Sequence, residues 1–387
     1  MFLQGIGCPR EVLAVLKSLL TLKENRPETK ASRVTRAADP IAVSSFGSRR
    51  AHGFDSAVVG NKAAVIGGCQ SHSNMVTEYK YGIKSVGTMA HSYVQAFGVG
   101  RVAEKKAFKT FIEHRVKRRA NTLVLLIDTY NTLGMGIQNA IEAFKESGID
   151  DNYEGIYGIR IDSGDLAYLS KKCRKLLDEA GLYKAQIVLT NSLNEELIRS
   201  LREQGVCADM YGVGDEIAVS KSSPCFGGVY KIVEIDKEPV MKLSEEVVKI
   251  SNPGFKETYR IYDKYGYAYA DLITLVDGDE DKEKLLANDN LMIRDEKYDF
   301  KKSQLRAGEY SIKKLTRTYI KNGEIIMDEY SKLFRVLDSQ KYYLDSLKKI
   351  SAERKRLENP HSYKVDLSHD LINLKYDLIK NIKSEIE

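Results

Sequence analysis

Between residues 63 and 214 short apolar runs alternate with longer stretches at helical spacing, and each run stops on a polar residue or a glycine. The runs are AAVIGG (63–68), SVGTMAH (85–91), TLVLLID (122–128), IYGIRID (156–162), AQIVLTN (185–191) and DMYGVG (209–214). Each reads as a strand, because a short apolar block bounded by turn residues suits a buried parallel sheet. Helical spacing follows most of them: SNMVTEYKYG, a helix reaching about Arg118, one running through Lys145, and LAYLSKKCRKLLDEAG. Another begins at SLNE, whose polar residues supply helix-start chemistry. The central unit is GIYGIRIDSGDL (155–166), where a strand stops on Asp162 and Ser163, Gly164 and Asp165 turn the chain into a helix.

Six strand-then-helix or strand-then-loop units predict an α/β fold built as a TIM-type (β/α) barrel, with an open doubly wound sheet as the rival. The polar residues separate the two. His91, Asp128, Asp162, Asn191 and Gly214 all fall at strand carboxyl ends, which ring one mouth in a barrel and string along an edge in an open sheet. Upstream, residues 11–25 form an amphipathic helix, residues 30–38 are basic at helical spacing, and SSFGSRRAHG (44–53) leads into paired arginines. Beyond residue 234 the texture becomes strand-like and rich in turns, and residues 338–387 become helical and charged. The expected domains are a partial small-lobe segment (1–60), the barrel (61–234), and a smaller, mostly antiparallel lobe with a helical tail (235–387).

Composition narrows the setting. The 387 residues carry 43% hydrophobic and 29% charged positions, ordinary for a globular protein. A net charge of +6 from 60 basic and 54 acidic residues does not point to nucleic acid, but suits an anionic substrate if the charges cluster. Cys8, Cys69, Cys173, Cys207 and Cys225 are dispersed with no CxxC pair, which predicts free thiols and a cytoplasmic setting. No apolar run approaches the roughly 20 residues that span a bilayer, and Glu11 and Lys17 interrupt any signal-peptide core.

Glycine admits positive φ and lets backbone N–H groups approach an anion, so Gly212 with Gly214 and Gly227 with Gly228 are phosphate-cradle candidates; the plain alternative is a turn. Arg49 and Arg50 have the fork geometry to grip a carboxylate or phosphate, although such a pair is commonly a solvated face. His91 reads three ways: acid–base group, phosphoryl acceptor, or satisfied core histidine, the last being favoured by sequence alone. GVGRVA (98–103) imitates a dinucleotide fingerprint without a preceding strand, and no Walker-type loop is present. His52, His72, His114, His361 and His369 lack zinc-ligand spacing.

Taken together, FGSRRAHG (46–53), GTMAHS (87–92), IDTYNT (127–132), GIRIDSGDL (158–166), NSLNE (191–195), YGVGD (211–215), GGVYKI (227–232) and the closing NPHSYKVDLSHDLINLKYDLI resemble the nicotinate phosphoribosyltransferase family over nearly the whole chain. The resemblance implies an irregular α/β barrel with a second, smaller α/β lobe, in a homodimer with shared active sites. It implies phosphoribosyl transfer from phosphoribosyl pyrophosphate to nicotinate in NAD biosynthesis, with Mg²⁺ as cofactor and ATP as co-substrate. On it, His91 matches the histidine phosphorylated by ATP, and Arg160 and Asp162 match positions that hold the ribose and phosphates. Gly212, Gly214, Gly227 and Gly228 match the 5-phosphate loops, and Arg49, with Arg50 beside it, lies in the motif facing nicotinate and pyrophosphate. Ser92, Asp128 and Asn191 complete the expected substrate-binding set.

Departure of pyrophosphate leaves an oxocarbenium-like ribose, so catalysis requires anion stabilisation and positioning; the ring nitrogen of nicotinate is already a nucleophile. Arginines and Mg²⁺ would neutralise the leaving group, while Asp128 and Asp162 would hold hydroxyls or metal-bound water. Two departures from the family pattern stand out. The family's usual opening segment, with an aromatic residue that stacks on nicotinate, is absent, and His72 stands where the family carries threonine. A catalytically impaired remnant or a partner subunit lacking the amino-terminal lobe is therefore the alternative reading. The sister quinolinate phosphoribosyltransferase is a more distant one.

Overall fold

The computed structural model describes residues 22–224, 231–244, 250–295, 300–318, 320–322, 324–326 and 335–384. The described residues divide into two units: one holds those from 22 to 226 with 335–341, and the other those from 227 to 334 and from 342 onward.

In the first unit six strands form one parallel sheet. They are β1 (Ala42–Ser45), β2 (Ser71–His72), β3 (Thr122–Leu126), β4 (Ile156–Ile161), β5 (Gln186–Leu189) and β6 (Met210–Val213), in the order β2-β1-β6-β5-β4-β3. Every pairing is parallel, so all carboxyl ends share one face. Leu123, Leu125, Leu126, Ile159, Ile161, Ile187, Leu189, Tyr211 and Val213 are wholly buried, as expected where both faces of a parallel sheet are covered. Four of the expected strands, at 122, 156, 186 and 210, are therefore in place, and the mixed α/β class holds.

Two expected strands are not strands. AAVI (63–66) is the last turn of the helix Phe54–Ile66, whose Ala57, Val58, Ala63, Ala64 and Val65 are all buried. A helix end enclosed on every side has no polar stripe, so its sequence is indistinguishable from a buried strand. Residues 85–91 form no strand beyond a single bridge from Ser85 to His72. The segment is instead held by the amide of Val86 donating to the carbonyl of His72 at 2.7 Å and by Thr88 Oγ1 donating to the Val124 carbonyl at 3.0 Å. It thus touches β2 on one side and β3 on the other. Conversely, β1 and β2 carry serines and a histidine and lack the apolar run that identifies a strand in sequence. Ser44 and Ser71 share a hydrogen bond across them.

Helix starts follow the capping chemistry. Asn74, Asp165 and Asn194 accept from the amides of Thr77, Tyr168 and Leu197 at 2.9, 3.0 and 2.7 Å, opening the helices Met75–Tyr81, Leu166–Glu179 and Glu195–Glu203.

The second unit contains two hairpins, β7 (Glu234–Ile235) with β8 (Glu238–Pro239) and β14 (Ile320–Lys321) with β15 (Glu324–Ile325). Its main sheet combines β9 (Lys256–Asp263), β10 (Ala268–Leu275), β11 (Leu291–Arg294), β12 (Lys302–Leu305), β13 (Tyr310–Lys314) and β16 (Lys364–Leu367), in the order β12-β11-β16-β10-β9-β13. Only β10 and β16 pair in parallel. Tyr259, Ile261, Ala270, Leu272, Leu291, Ile293 and Leu305 form its core. Arg260 and Asp271, directly opposite on β9 and β10, make a bidentate pair at 2.8 Å, and Tyr363 donates to the same carboxylate. Among the described residues no helix is long and apolar enough to cross a membrane.

Candidate active site

The carboxyl ends of β3, β4 and β5 bring Asp128, Arg160, Asp162 and Thr190 into one hydrogen-bonded cluster, and His91 faces it. Asp128 is the best-anchored member, its side chain 1% exposed. Its Oδ2 accepts from the Asp162 amide at 2.9 Å and from Ser163 Oγ at 2.6 Å, which fixes the turn after β4. Its Oδ1 is buried and has no hydrogen-bond partner. A buried carboxylate oxygen left open is costly, so the site is built to present it to something.

Arg160 donates from Nε to Thr190 Oγ1 at 2.9 Å, and its terminal nitrogen lies 3.1 Å from Asp162 Oδ2. Thr190 in turn donates to Asp162 Oδ1. The guanidinium and the carboxylate are therefore both tied to the one hydroxyl of Thr190. His91 is the first residue of the helix His91–Gln95. Its Nδ1 lies 3.1 Å from Thr129 Oγ1, while Nε2 lies 3.7 Å from Asp162 Oδ2 and 4.0 Å from Asp128 Oδ1. The last two distances exceed a hydrogen bond, so the carboxylates act on the ring through their charge. With a side chain 39% exposed, His91 is no buried core histidine.

The buried histidine is His72, which is wholly enclosed. Its Nε2 lies 3.1 Å from the Ile83 carbonyl and its Nδ1 accepts from the Asn74 amide at 3.1 Å, an arrangement that defines a neutral ring. Burial pushes its pKa down against the opposing pull of the Ile83 carbonyl. Glu78 accepts from both the amide and the hydroxyl of Ser85. These two residues pin the start of the loop that delivers His91.

A second polar pair lies behind Asp128. Glu104 and Asn139 are both fully buried, and Asn139 Nδ2 donates to Glu104 Oε2 at 2.8 Å and to the Arg101 carbonyl at 3.1 Å. Burial, reinforced by the charge of Asp128, pushes the Glu104 carboxyl up towards its protonated form.

The glycine edge adjoins this cluster. A Cβ on Gly212 would lie 2.6 Å from both the Phe46 ring and Thr190 Cγ2, and one on Gly47 would lie 2.3 Å from the Gly214 carbonyl oxygen. Neither position has space for a side chain, whereas the Cβ position of Gly214 is open. Lys30, 3% exposed, pairs with Glu195 at 2.7 Å and Glu216 at 3.0 Å. That triad ties together the helices that follow the Asn191 and Gly214 loops. Asn191 and Ser192 have φ of 105° and 46°, strained values for residues with side chains.

Of the residues expected in the site, the structure joins His91, Asp128, Arg160 and Asp162 directly and places Gly212 against Thr190. Asn191 is exposed beside Thr190, and Ser92 is exposed beside His91. Arg49 and Arg50 occupy the short 3₁₀ turn Ser48–Arg50 after β1, exposed and without an ion-pair partner among the described residues. Gly227 and Gly228 lie outside the described residues. Thr190 and Thr129 were not singled out in the sequence, and Ser163 was read there only as part of the turn after the central strand. Each directly adjoins a residue that was singled out, and adjacency to a strand end was the signal available.

A profile of the nicotinate phosphoribosyltransferase (NAPRTase) family matches residues 41–264, and one of the nicotinate phosphoribosyltransferase C-terminal domain matches residues 255–375. Nicotinate phosphoribosyltransferase of Bacillus subtilis is 35% identical over 368 residues, covering 93% of this chain and 70% of that protein. Those of Caenorhabditis elegans and Dictyostelium discoideum are each 30% identical, and the chain spans 69% and 62% of their lengths. The crystal structure of human nicotinic acid phosphoribosyltransferase superposes with a TM-score of 0.74 at 23% identity, over 95% of this chain and 77% of that one, and shares the fold. The chain belongs to the nicotinate phosphoribosyltransferase family.

Proposed function

We propose that this protein is a nicotinate phosphoribosyltransferase that forms nicotinate mononucleotide and pyrophosphate from nicotinate and phosphoribosyl pyrophosphate in NAD salvage, with ATP hydrolysis coupled through His91. The observation that carries this reading is the Asp128–Arg160–Asp162–Thr190 cluster, faced by His91, at the shared carboxyl end of a parallel sheet. Arg160 supplies fixed positive charge for the phosphates, and the lock through Thr190 means that no reorganisation is needed when charge moves to the leaving group. Asp162 is placed to hold ribose hydroxyls. The open Cβ position of Gly214 leaves backbone room for the 5-phosphate, and the exposed Arg49 and Arg50 are available to meet nicotinate or pyrophosphate. His91 serves as the phosphoryl acceptor, and it faces the carboxylates of Asp162 and Asp128 at 3.7 and 4.0 Å.

Mg²⁺ carried on the pyrophosphate would neutralise the leaving group. The open buried oxygen of Asp128 fits acceptance of a hydrogen bond from a metal-bound water. The bonds from residues 86 and 88 to β2 and β3 support a barrel closed by an irregular segment. A cytoplasmic homodimer is the assembly that this reading carries.

The test is chromatographic detection of mononucleotide from phosphoribosyl pyrophosphate and Mg²⁺ with nicotinate, nicotinamide or quinolinate. Product from nicotinate above the other two supports the assignment, and product from quinolinate alone overturns it. A folded chain that binds phosphoribosyl pyrophosphate and yields no product would instead be a partner subunit or remnant.

A further inference from the structure

The geometry points to Ser48 as a substrate-binding residue whose hydroxyl donates to an anionic oxygen, carried by the carboxylate of nicotinate or by pyrophosphate. The inference rests on the proposed transferase reading and adds a contact to it. Ser48 opens the turn Ser48–Arg50 that follows β1, half-buried beside the exposed Arg49 and Arg50. The turn is closed by its own backbone, with the Arg50 amide donating to the Gly47 carbonyl at 2.9 Å.

A serine hydroxyl has one hydrogen to give and two lone pairs to fill. Asn61 Nδ2 donates to Ser48 Oγ at 3.0 Å, and Asn74 Nδ2 approaches the same oxygen at 3.5 Å. Neither amide can turn round. Asn61 Nδ2 also donates to the Ala57 carbonyl at 2.7 Å, and an oxygen in its place would be set against that carbonyl. Asn74 Oδ1 accepts from the Thr77 amide at 2.9 Å, which keeps its nitrogen towards Ser48. With both neighbours fixed as donors, the Ser48 hydrogen points away from them, and among the described residues nothing accepts it.

This orientation has a cost. Asn61 is 3% exposed, and its Oδ1 is buried without a hydrogen-bond partner. Leaving a buried acceptor unmet is unfavourable, and the arrangement that does so is the one that spares the Ser48 hydrogen. The charged groups of the same turn are two guanidiniums, with no carboxylate among them. A donor of fixed direction beside cations suits a carboxylate or phosphate oxygen, which takes a stronger hydrogen bond than a neutral acceptor does. The 5-phosphate is allotted to the Gly214 edge, which leaves the nicotinate carboxylate and pyrophosphate as the anions for this hydroxyl.

The test is steady-state kinetics of the full chain, read as the KM for nicotinate and the inhibition constant of pyrophosphate with Mg²⁺. Wild type is compared with Ser48→Ala and Ser48→Thr. The expected result is a loss of roughly tenfold for one of the two anions in Ser48→Ala, as for one hydrogen bond to a charged group, and near wild-type values in Ser48→Thr, which keeps the hydroxyl. Loss confined to nicotinate identifies its carboxylate as the acceptor, and loss confined to pyrophosphate identifies the leaving group. A merely structural role would disturb Arg49 and Arg50 as well and weaken both anions together, so equal weakening of both overturns the inference, as does no change in either. Should the alanine variant fold poorly, Ser48→Cys, close in shape with a far weaker donor, is read in the same way. A wild type without turnover overturns the transferase reading itself, an outcome seen before any variant is compared.

Discussion

Thr190 shows how much a single hydroxyl carries in this site. It accepts from Arg160 Nε at 2.9 Å and donates to Asp162, so one residue at the end of β5 sets two charged groups supplied by β4. Thr190→Val keeps the shape and removes both bonds. We expect stability to fall by about 1 kcal/mol and kcat/KM for phosphoribosyl pyrophosphate to fall by more than roughly tenfold, because a preorganised cation is worth more in the transition state than in the ground state; steady-state kinetics beside a urea melt check both. Glu104 makes the opposite case, a carboxyl that folds best without its charge. With its pKa raised above the ordinary 4.5, it favours the folded state while protonated and loses that contribution as pH rises through the raised value. Glu104→Gln should therefore be at least as stable as wild type at neutral pH, whereas Glu104→Ala, which opens a cavity beside Asn139, should be less so; thermal melts compare them. Asp128, Arg160 and Asp162 were legible in the sequence because charged residues directly after apolar runs are conspicuous. Thr190 was not, since a threonine closing a strand reads as an ordinary β-former.

At the scale of elements, close approach and burial decide what the pattern of apolar residues cannot. The end of β1 and the turn after β6 come together only because Gly47 has no Cβ to meet the Gly214 carbonyl at 2.3 Å. Gly47→Ala must push that edge apart. The expected cost is about 1–3 kcal/mol, together with weaker binding of phosphoribosyl pyrophosphate, measured by urea denaturation and calorimetry. The buried Lys30–Glu195–Glu216 triad braces the same edge from beneath. Lys30→Met leaves two carboxylates short of their shared cation and should cost about 3 kcal/mol, readable in the same denaturation series. Strands β3 to β6 were predictable from their apolar runs. The short β1 and β2 were not, because their serines pair with one another across the sheet, and the loop 85–90 passed for a strand because its anchors, His72 and Glu78, lie in other elements.

On the scale of the whole molecule, the family profile reaches from the parallel sheet of the first unit into the antiparallel sheet of the second, and a further profile covers that second sheet. The texture change near residue 234 marked the transition in the sequence, but the ladder order β12-β11-β16-β10-β9-β13 arises from distant pairings that no local pattern encodes. The second unit has its own pH signature. Burial, helped by Asp295 and opposed by Lys364, pushes the Asp366 carboxyl up to about 6 from 3.8. A group raised in this way favours folding only while protonated, so its penalty appears as pH rises from the lower value and is complete above the higher one. Asp366→Asn should then raise the melting temperature above pH 7, by an amount corresponding to at most about 3 kcal/mol, and the gain should vanish near pH 4. The account of function turns on His91. Its most direct test is the yield of nicotinate mononucleotide from nicotinate, phosphoribosyl pyrophosphate and Mg²⁺, with and without ATP, for the wild type and His91→Ala. The account predicts that ATP raises the yield of the wild type and leaves that of the variant unchanged. An equal ATP-dependent gain in both proteins would contradict it.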